Sequence, residues 1–150
     1  MADHVATVEW RCDGDFREGR YSRAHRWSFD GGAVVPASAS PHVVPAPMSD
    51  SAGVDPEEAL VASASSCHML WFLHLARDAG FDVAAYRDPA LGTMGKDDRG
   101  RMAVTRIVLR PEIEFAGAAP DSETLARLHH GAHEKCFIAN SLRTEIVVEA

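Results

Sequence analysis

The sequence has 150 residues, of which 46% are hydrophobic and 25% charged, and this predicts one soluble domain over residues 1–150 with a substantial core. Its net charge of −7 argues against nucleic acid or an anionic membrane as a partner, because both favour an excess of Lys and Arg. Three widely spaced cysteines do not resemble a secreted disulfide framework, and no charged-then-apolar leader opens the chain, so we expect a cytoplasmic protein.

The first third of the chain has the pattern of strands joined by turns. Alternation predicts strands over residues 4–10 and 20–29, and Asp-Gly-Gly at 30–32 predicts a hairpin into a short strand over 33–37. One face of the second strand would carry Tyr21, Arg23, His25, Trp27 and Phe29. Residues 38–54 are rich in Pro, Ser and Ala and have no period, which predicts a long loop that covers a site or a partner.

A long apolar helix is predicted next. Asp55 is a suitable N-cap, Pro56 fits the first turn, and Gly80 follows the expected end. Residues 59–76 have almost no polar face, as in a membrane span or in the central helix of a globular core. Carboxylates at its start and many Ser and Ala residues favour a buried central helix with Cys67 at its middle. Taken alone, such a cysteine is more often an inert small hydrophobe than a reactive thiol.

The second half of the chain adds more strands and a second helix. Strand pieces are predicted over residues 81–86 and 92–95, and a long strand over 102–115 with an edge or bulge at Pro111. Helical spacing predicts a helix over 121–135 capped by Asp121 or Ser122, and alternation predicts a last strand over 143–149. The order of strands, helix, strands, helix and strand predicts an α+β fold.

Two kinds of chemistry are open to the cysteines at 67 and 136. His129, His133 and Cys136 have the spacing of one helix face and, with Cys67 or His68, could make a zinc set. Packing histidines without metal are the more common outcome, so we favour no metal site. Cys12 lies in a turn and is interpreted as incidental.

Thiol redox chemistry is the other possibility. A reactive cysteine needs a nearby cation to favour its thiolate, and the second strand offers three, Arg20, Arg23 and Arg26. A buried arginine needs a carboxylate to hold it, and Glu57 or Glu58 could serve.

Two stretches carry a family resemblance. Asp-Pro-Glu-Glu-Ala-Leu-Val-Ala-Ser-Ala-Ser-Ser-Cys, ending at Cys67, and His-Glu-Lys-Cys-Phe-Ile-Ala-Asn-Ser, around Cys136, resemble the OsmC/Ohr family of thiol-dependent organic hydroperoxide reductases. The resemblance implies an OsmC-like α+β fold, with antiparallel sheets wrapped around a buried central helix in an intertwined homodimer. It also implies a peroxidatic Cys67, a resolving Cys136, a carboxylate at Glu57 and an activating arginine, for which we favour Arg23 over Arg20 and Arg26.

This resemblance implies a complete peroxidase cycle. Cys67 would attack the hydroperoxide and release the alcohol, and its sulfenic acid would form a disulfide with Cys136. An external thiol such as dihydrolipoamide, or a lipoyl-protein, would reduce that disulfide, and no bound cofactor is expected. Apolar walls from Leu70, Trp71, Phe72 or Phe137 would favour fatty or aryl hydroperoxides.

The position of Glu57 bears on the assembly. Ten residues of straight helix would place Glu57 about 15 Å along the axis from Cys67, so we expect it to serve the site of the other subunit. The alternative function is a non-catalytic redox-sensing or zinc-binding dimer that uses Cys67, Cys136 and the nearby histidines.

Overall fold

The computed structural model describes all 150 residues, which form two compact units, residues 1–59 and residues 60–150. The single domain expected over residues 1–150 stays a prediction. The first unit contains five strands: β1 (Ala6–Glu9), β2 (Gly14–Asp15), β3 (Arg20–Tyr21), β4 (His25–Phe29) and β5 (Val34–Ala37). Strand β4 lies between β1 and β5 in an antiparallel sheet, and β2 pairs with β3 in a separate hairpin.

The prediction of one continuous strand over residues 20–29 is wrong at its middle. It is split into β3 and β4, which belong to different sheets, and residues 22–24 lie between them. In this break the Arg23 N–H donates to the Met48 carbonyl over 2.8 Å, and the Ala24 N–H donates to Ser22 Oγ over 3.0 Å. The backbone at the break therefore bonds to a distant loop and to a side chain instead of a neighbouring strand, a choice that alternation cannot reveal.

The predicted long loop over residues 38–54 is confirmed, and it is attached at both ends. Ala37 forms a parallel bridge with Val54, and the Ser38 N–H donates to the Val54 carbonyl over 3.0 Å. Gly53 lies close to this bridge, where an added Cβ would be 2.9 Å from the backbone of Ala37. The loop is thus closed on itself near its ends, as compact surface loops are.

Helix α1 spans Pro56–Asp78, as predicted, and begins with a reciprocal capping box. The Glu58 N–H donates to Asp55 Oδ1 over 2.8 Å, and the Asp55 N–H donates to Glu58 Oε1 over 3.2 Å. By length and composition alone, α1 could cross a membrane, a test that the core helix of a globular protein also passes.

Within one chain, α1 buries only one stripe of side chains. The buried positions are spaced four apart: Ala64, His68, Phe72 and Ala76. On another face Leu70 is 61% exposed. The expectation of a helix buried on all sides is therefore not met by the single chain, and a dimer that covers the remaining faces stays a prediction.

The second unit contains the remaining elements: β6 (Val83–Arg87), β7 (Leu91–Lys96), β8 (Met102–Leu109), β9 (Glu112–Phe115), α2 (Ser122–Lys135), α3 (Phe137–Ser141) and β10 (Glu145–Val148). The long strand predicted over residues 102–115 is divided at Arg110–Pro111, because β8 joins β7 and β10 whereas β9 pairs with β6. Strand β10 runs parallel to β8, so one pair in the sheets is not antiparallel. Helix α2 is capped by Asp121, which accepts from the Thr124 N–H over 2.8 Å.

The core of this unit lies on both sides of the α1 stripe. Ala64 packs with Ile107 and Leu109 of β8, while Phe72 and Ala76 pack with Leu128 and Ala132 of α2. The α+β prediction is confirmed by this arrangement of helices on mixed sheets. Because α1 and α2 are fixed against each other by this core, the residues that follow α2 are also placed against α1.

Candidate active site

The thiols at positions 67 and 136 lie close together in the second unit. Cys67 is half-buried near the middle of α1, and Cys136 is 1% exposed at the junction of α2 and α3. The Cys67 thiol lies close enough to Cys136 to raise the pKa of the Cys136 thiol, and both cysteines are free thiols. Two thiols that lie close together on packed helices need little movement to form a disulfide.

Cys136 is shaped by its position between two helices. Its backbone is extended, its N–H donates to the His133 carbonyl over 3.3 Å, and its Sγ accepts from the Ala139 N–H over 3.4 Å. Burial raises the pKa of the Cys136 thiol above its ordinary value, and contact with Cys67 adds to this, against the opposing effect of the Ala139 N–H. Burial and the nearby Cys67 thiol therefore favour the protonated form of Cys136.

The predicted helix face of His129, His133 and Cys136 is not formed. Helix α2 ends at Lys135, and Cys136 leaves the helical conformation, so the spacing of seven residues no longer implies a shared face. No group of three or more His, Cys, Asp or Glu side chains is arranged to hold a metal ion. The zinc set considered from the spacing is thus not present in this chain.

Two of the histidines instead form a buried pair that sequence reasoning missed. The rings of His68 and His129 stack, and His68 Nε2 lies 3.0 Å from His129 Nδ1. Burial lowers the pKa of His68 to about 4, with smaller contributions from His129 and His133, and burial likewise lowers the pKa of His129 to about 4. Both rings are neutral at pH 7, and neither supplies a cation for a thiolate.

The first unit has an open cavity of about 440 Å³ that contains charged groups of both signs. Arg23 and Glu57 line it together with an aromatic cluster, in which ring centroids lie 4.9–6.0 Å apart: Trp10, Phe16 and Tyr21. A guanidinium and a carboxylate beside apolar rings can bind a molecule that has a polar head and an apolar body. The cluster went unrecognised in the sequence because its members come from separate turns and strands.

Of the three candidate arginines, only Arg23 lines this cavity. Arg20 pairs with Asp15 at 3.5 Å and Arg26 pairs with Glu9 at 3.3 Å, and both arginine side chains are mostly exposed. Exposed ion pairs of this kind contribute little to stability and leave the guanidinium in solvent. Of the three arginines, only Arg23 is therefore placed to meet a ligand in the cavity.

The two candidate carboxylates also differ in their surroundings. Glu58 is engaged in the capping box with Asp55, whereas Glu57 lines the cavity and its Oε2 is buried without a hydrogen-bond partner in the chain. A carboxylate oxygen in this state is available to a ligand or to a partner group.

The expectation of apolar walls from Leu70, Trp71, Phe72 or Phe137 needs a correction. Phe72 is fully buried in the core between α1 and α2, so it lines no site. Leu70 and Phe137 are more than 60% exposed, and the ring centroids of Trp71 and Phe137 lie 5.5 Å apart in an edge-to-face arrangement.

Cys12 is exposed, and its Sγ lies 3.6 Å from the Gly14 carbonyl oxygen.

The chain is similar in sequence and fold to known proteins. The model of the OsmC-like protein family matches residues 49–150. An OsmC-like protein of unknown function from Vibrio cholerae is 51% identical, with 99% of each chain covered and a TM-score of 0.96. No match was found among curated proteins.

Two more distant structures share the fold. Organic hydroperoxide resistance proteins from Elizabethkingia anophelis and Bacillus subtilis are 18% and 19% identical, with TM-scores of 0.72 and 0.64. The alignments cover 99% and 97% of this chain and 96% of each of those chains.

Proposed function

Because the chain belongs to the OsmC-like protein family, we propose that it reduces organic hydroperoxides to alcohols, with Cys67 as the attacking thiol and Cys136 as the resolving thiol. The observation that carries the proposal is the close approach of these two thiols. Proteins named for organic hydroperoxide resistance share the fold, which is consistent with this chemistry.

The proposed reaction has three balanced steps. The Cys67 thiolate attacks the distal oxygen of ROOH, the O–O bond breaks, and the alkoxide takes a proton and leaves as ROH, so that sulfur is oxidised to the sulfenic acid. The Cys136 thiol then attacks that sulfur, and a disulfide forms with loss of water. A dithiol such as dihydrolipoamide, free or carried on a lipoyl-protein, reduces the disulfide by exchange and is itself oxidised to a cyclic disulfide.

Arg23 and Glu57 are proposed to complete the site in a homodimer. Helix α1 is unbroken, so the ten residues from Glu57 to Cys67 span about 15 Å of its axis and Glu57 does not serve the thiol of its own chain. In the proposed dimer, the cavity of one subunit faces the thiols of the other, where the Arg23 guanidinium favours the thiolate form of Cys67. The exposed apolar side chains of Leu70 and Phe137 are available to such a partner.

The residues that line the cavity also indicate which hydroperoxides the protein prefers. The aromatic cluster of the cavity favours fatty or aryl hydroperoxides over hydrogen peroxide, since only the former have an apolar body to bury. No bound cofactor is required by the cycle, and a cytoplasmic supply of thiols would sustain it. Competition between cumene hydroperoxide and hydrogen peroxide measures this preference.

A turnover assay with single cysteine variants tests the proposal. Cumene hydroperoxide reduction is followed with dihydrolipoamide for the wild type, Cys67→Ser and Cys136→Ser, with Cys12→Ser as the matched control. We expect Cys67→Ser to be inactive, Cys136→Ser to lose at least tenfold in turnover, and Cys12→Ser to equal the wild type. A wild type that forms the disulfide under peroxide but does not turn over would instead support the redox-sensing alternative.

A further inference from the structure

The backbone of Arg23 is held at both of its polar groups by hydrogen bonds that do not belong to any sheet. Its N–H donates to the Met48 carbonyl over 2.8 Å, and its carbonyl lies 2.7 Å from Nδ1 of His25. Arg23 itself belongs to no strand, because β3 ends at Tyr21 and β4 begins at His25. These two bonds therefore replace the ladder that would otherwise fix the residue.

The hydrogen bonds of His25 determine which of its nitrogens carries the proton. Trp27 Nε1–H donates to His25 Nε2 over 3.1 Å, and an indole nitrogen can only donate. Nε2 is thus an acceptor, and in the neutral ring Nδ1 carries the hydrogen and donates it to the Arg23 carbonyl. His25 and Trp27 are two apart on β4, so the strand places both rings on one face.

The guanidinium of Arg23 is fixed by contacts to its own neighbourhood. Nη1 donates to the Tyr21 carbonyl over 2.6 Å and to the Gly19 carbonyl over 3.3 Å, and Cζ lies 3.6 Å above the centre of the Tyr21 ring. Stacking on a tyrosine face and bonding to two carbonyls leaves few orientations for a planar group. These contacts depend on the course of the backbone at Arg23, which His25 helps to determine.

We propose that His25, oriented by Trp27, is a positioning residue that aims the Arg23 guanidinium into the cavity of the first unit. The structural part of this proposal concerns only this unit, whereas its effect on turnover rests on the proposed peroxidase function. His25 lines the same cavity as Arg23, so a ligand there would meet a cation whose direction the imidazole sets through the backbone.

A pair of amide substitutions distinguishes this role from simple packing. An asparagine amide reaches about the place of imidazole Nδ1, whereas a glutamine amide reaches about the place of Nε2. His25→Asn therefore keeps a donor for the Arg23 carbonyl, and His25→Gln does not. A residue that only fills space would tolerate both amides equally.

The first measurement does not depend on catalysis. The guanidinium resonance of Arg23 is identified in the ¹⁵N–¹H spectrum of the full chain by its loss in Arg23→Lys, and is then compared in the His25 variants and in Trp27→Phe. We expect the wild-type resonance to persist in His25→Asn and to shift or broaden in His25→Ala, His25→Gln and Trp27→Phe. An unmoved resonance in both His25→Ala and Trp27→Phe would overturn the proposal, as would equal behaviour of the two amides.

The second measurement links the position of Arg23 to turnover. Since one hydrogen bond is at stake, we expect kcat/KM for cumene hydroperoxide to fall about tenfold in His25→Ala and about threefold in Trp27→Phe, with most of it regained in His25→Asn. His4→Asn, in the exposed N-terminal segment, is the control and should equal the wild type. An inactive wild type would refute the peroxidase function while the resonance still decides the role of His25, and unchanged kcat/KM with a shifted resonance would refute the link between the two.

Discussion

At the scale of single residues, two buried imidazoles couple the stability of the fold to pH. Burial lowers the pKa of His68 and of His129 from 6.5 to about 4, so the unfolded chain binds protons more readily than the folded one between these values. The stabilising effect of the neutral rings is complete above pH 6.5 and is lost as the pH falls through about 4. The fold should therefore lose stability in mild acid, before most carboxylates are protonated.

The variant His129→Gln should weaken this dependence. Each buried imidazole should account for about 2 kcal/mol of the fall in unfolding free energy between pH 6.5 and pH 4, because a group that cannot titrate contributes none of it. Urea unfolding across this range measures the slope, with the exposed His130→Gln on the same helix as the control. An identical slope in the wild type and in a double variant with His68→Gln would contradict the expectation.

The sequence allowed some candidate site residues to be proposed but not their surroundings to be predicted. Cys67, Cys136 and Glu57 stand in stretches that resemble a family, so their positions could be predicted without coordinates. The pairing of His68 with His129 could not, because it joins residues 61 positions apart through the packing of α1 on α2. The resemblance already favoured Arg23 over its neighbours, but the break after β3, in which Arg23 lies, could not be predicted from the sequence.

At the scale of secondary-structure elements, α1 approaches β7 very closely at one position. A Cβ added to Gly92 would collide with Cγ2 of Val61, a branched side chain with little freedom to move. The absence of a side chain on the strand is thus what allows helix and sheet to meet.

We expect Gly92→Ala to destabilise the second unit by about 2 kcal/mol, through overpacking at this contact. The double variant Val61→Ala/Gly92→Ala should recover part of the loss, since the smaller helix residue makes room for the new methyl group. Urea unfolding of the two single variants and the double variant measures the coupling. Strictly additive changes would contradict the contact as the cause.

Elements with local signals were predicted well, and those that depend on distant partners were not. The caps Asp55 and Asp121 have their hydrogen-bond partners three residues away, so the starts of α1 and α2 follow from short stretches of sequence. The division of residues 20–29 depends on Met48, and that of residues 102–115 on two different neighbouring strands. Alternation predicts that a stretch is extended, but not which sheet it joins.

At the scale of the whole molecule, the proposed dimer can be tested by complementation. In a heterodimer of Glu57→Gln and Cys67→Ser subunits, one site would combine an intact Cys67 with an intact Glu57 from the other chain. Co-expression of these two variants under separate affinity tags should therefore restore about half of the wild-type activity, although each homodimer is inactive.

The matched control for this experiment is a chain that carries both substitutions, paired with the wild type. If Glu57 and Cys67 act within one chain, this heterodimer keeps one intact site. If they act across chains, it keeps none. Activity in this control, with none in the mixed heterodimer, would show that Glu57 acts within its own subunit.

The parallel pairing of β10 with β8 has a consequence during protein synthesis. Glu145 is opposite Arg106, and the turn between α3 and β10 is tied to β8 by Thr144 Oγ1, which donates to the Val104 carbonyl over 2.7 Å. The central strand of this sheet thus keeps an open edge on the ribosome until residues 145–148 have left the exit tunnel. A nascent chain stalled before that point would lack Ile146 and Val148, which pack against the cluster of Ala64, Ile107 and Leu109.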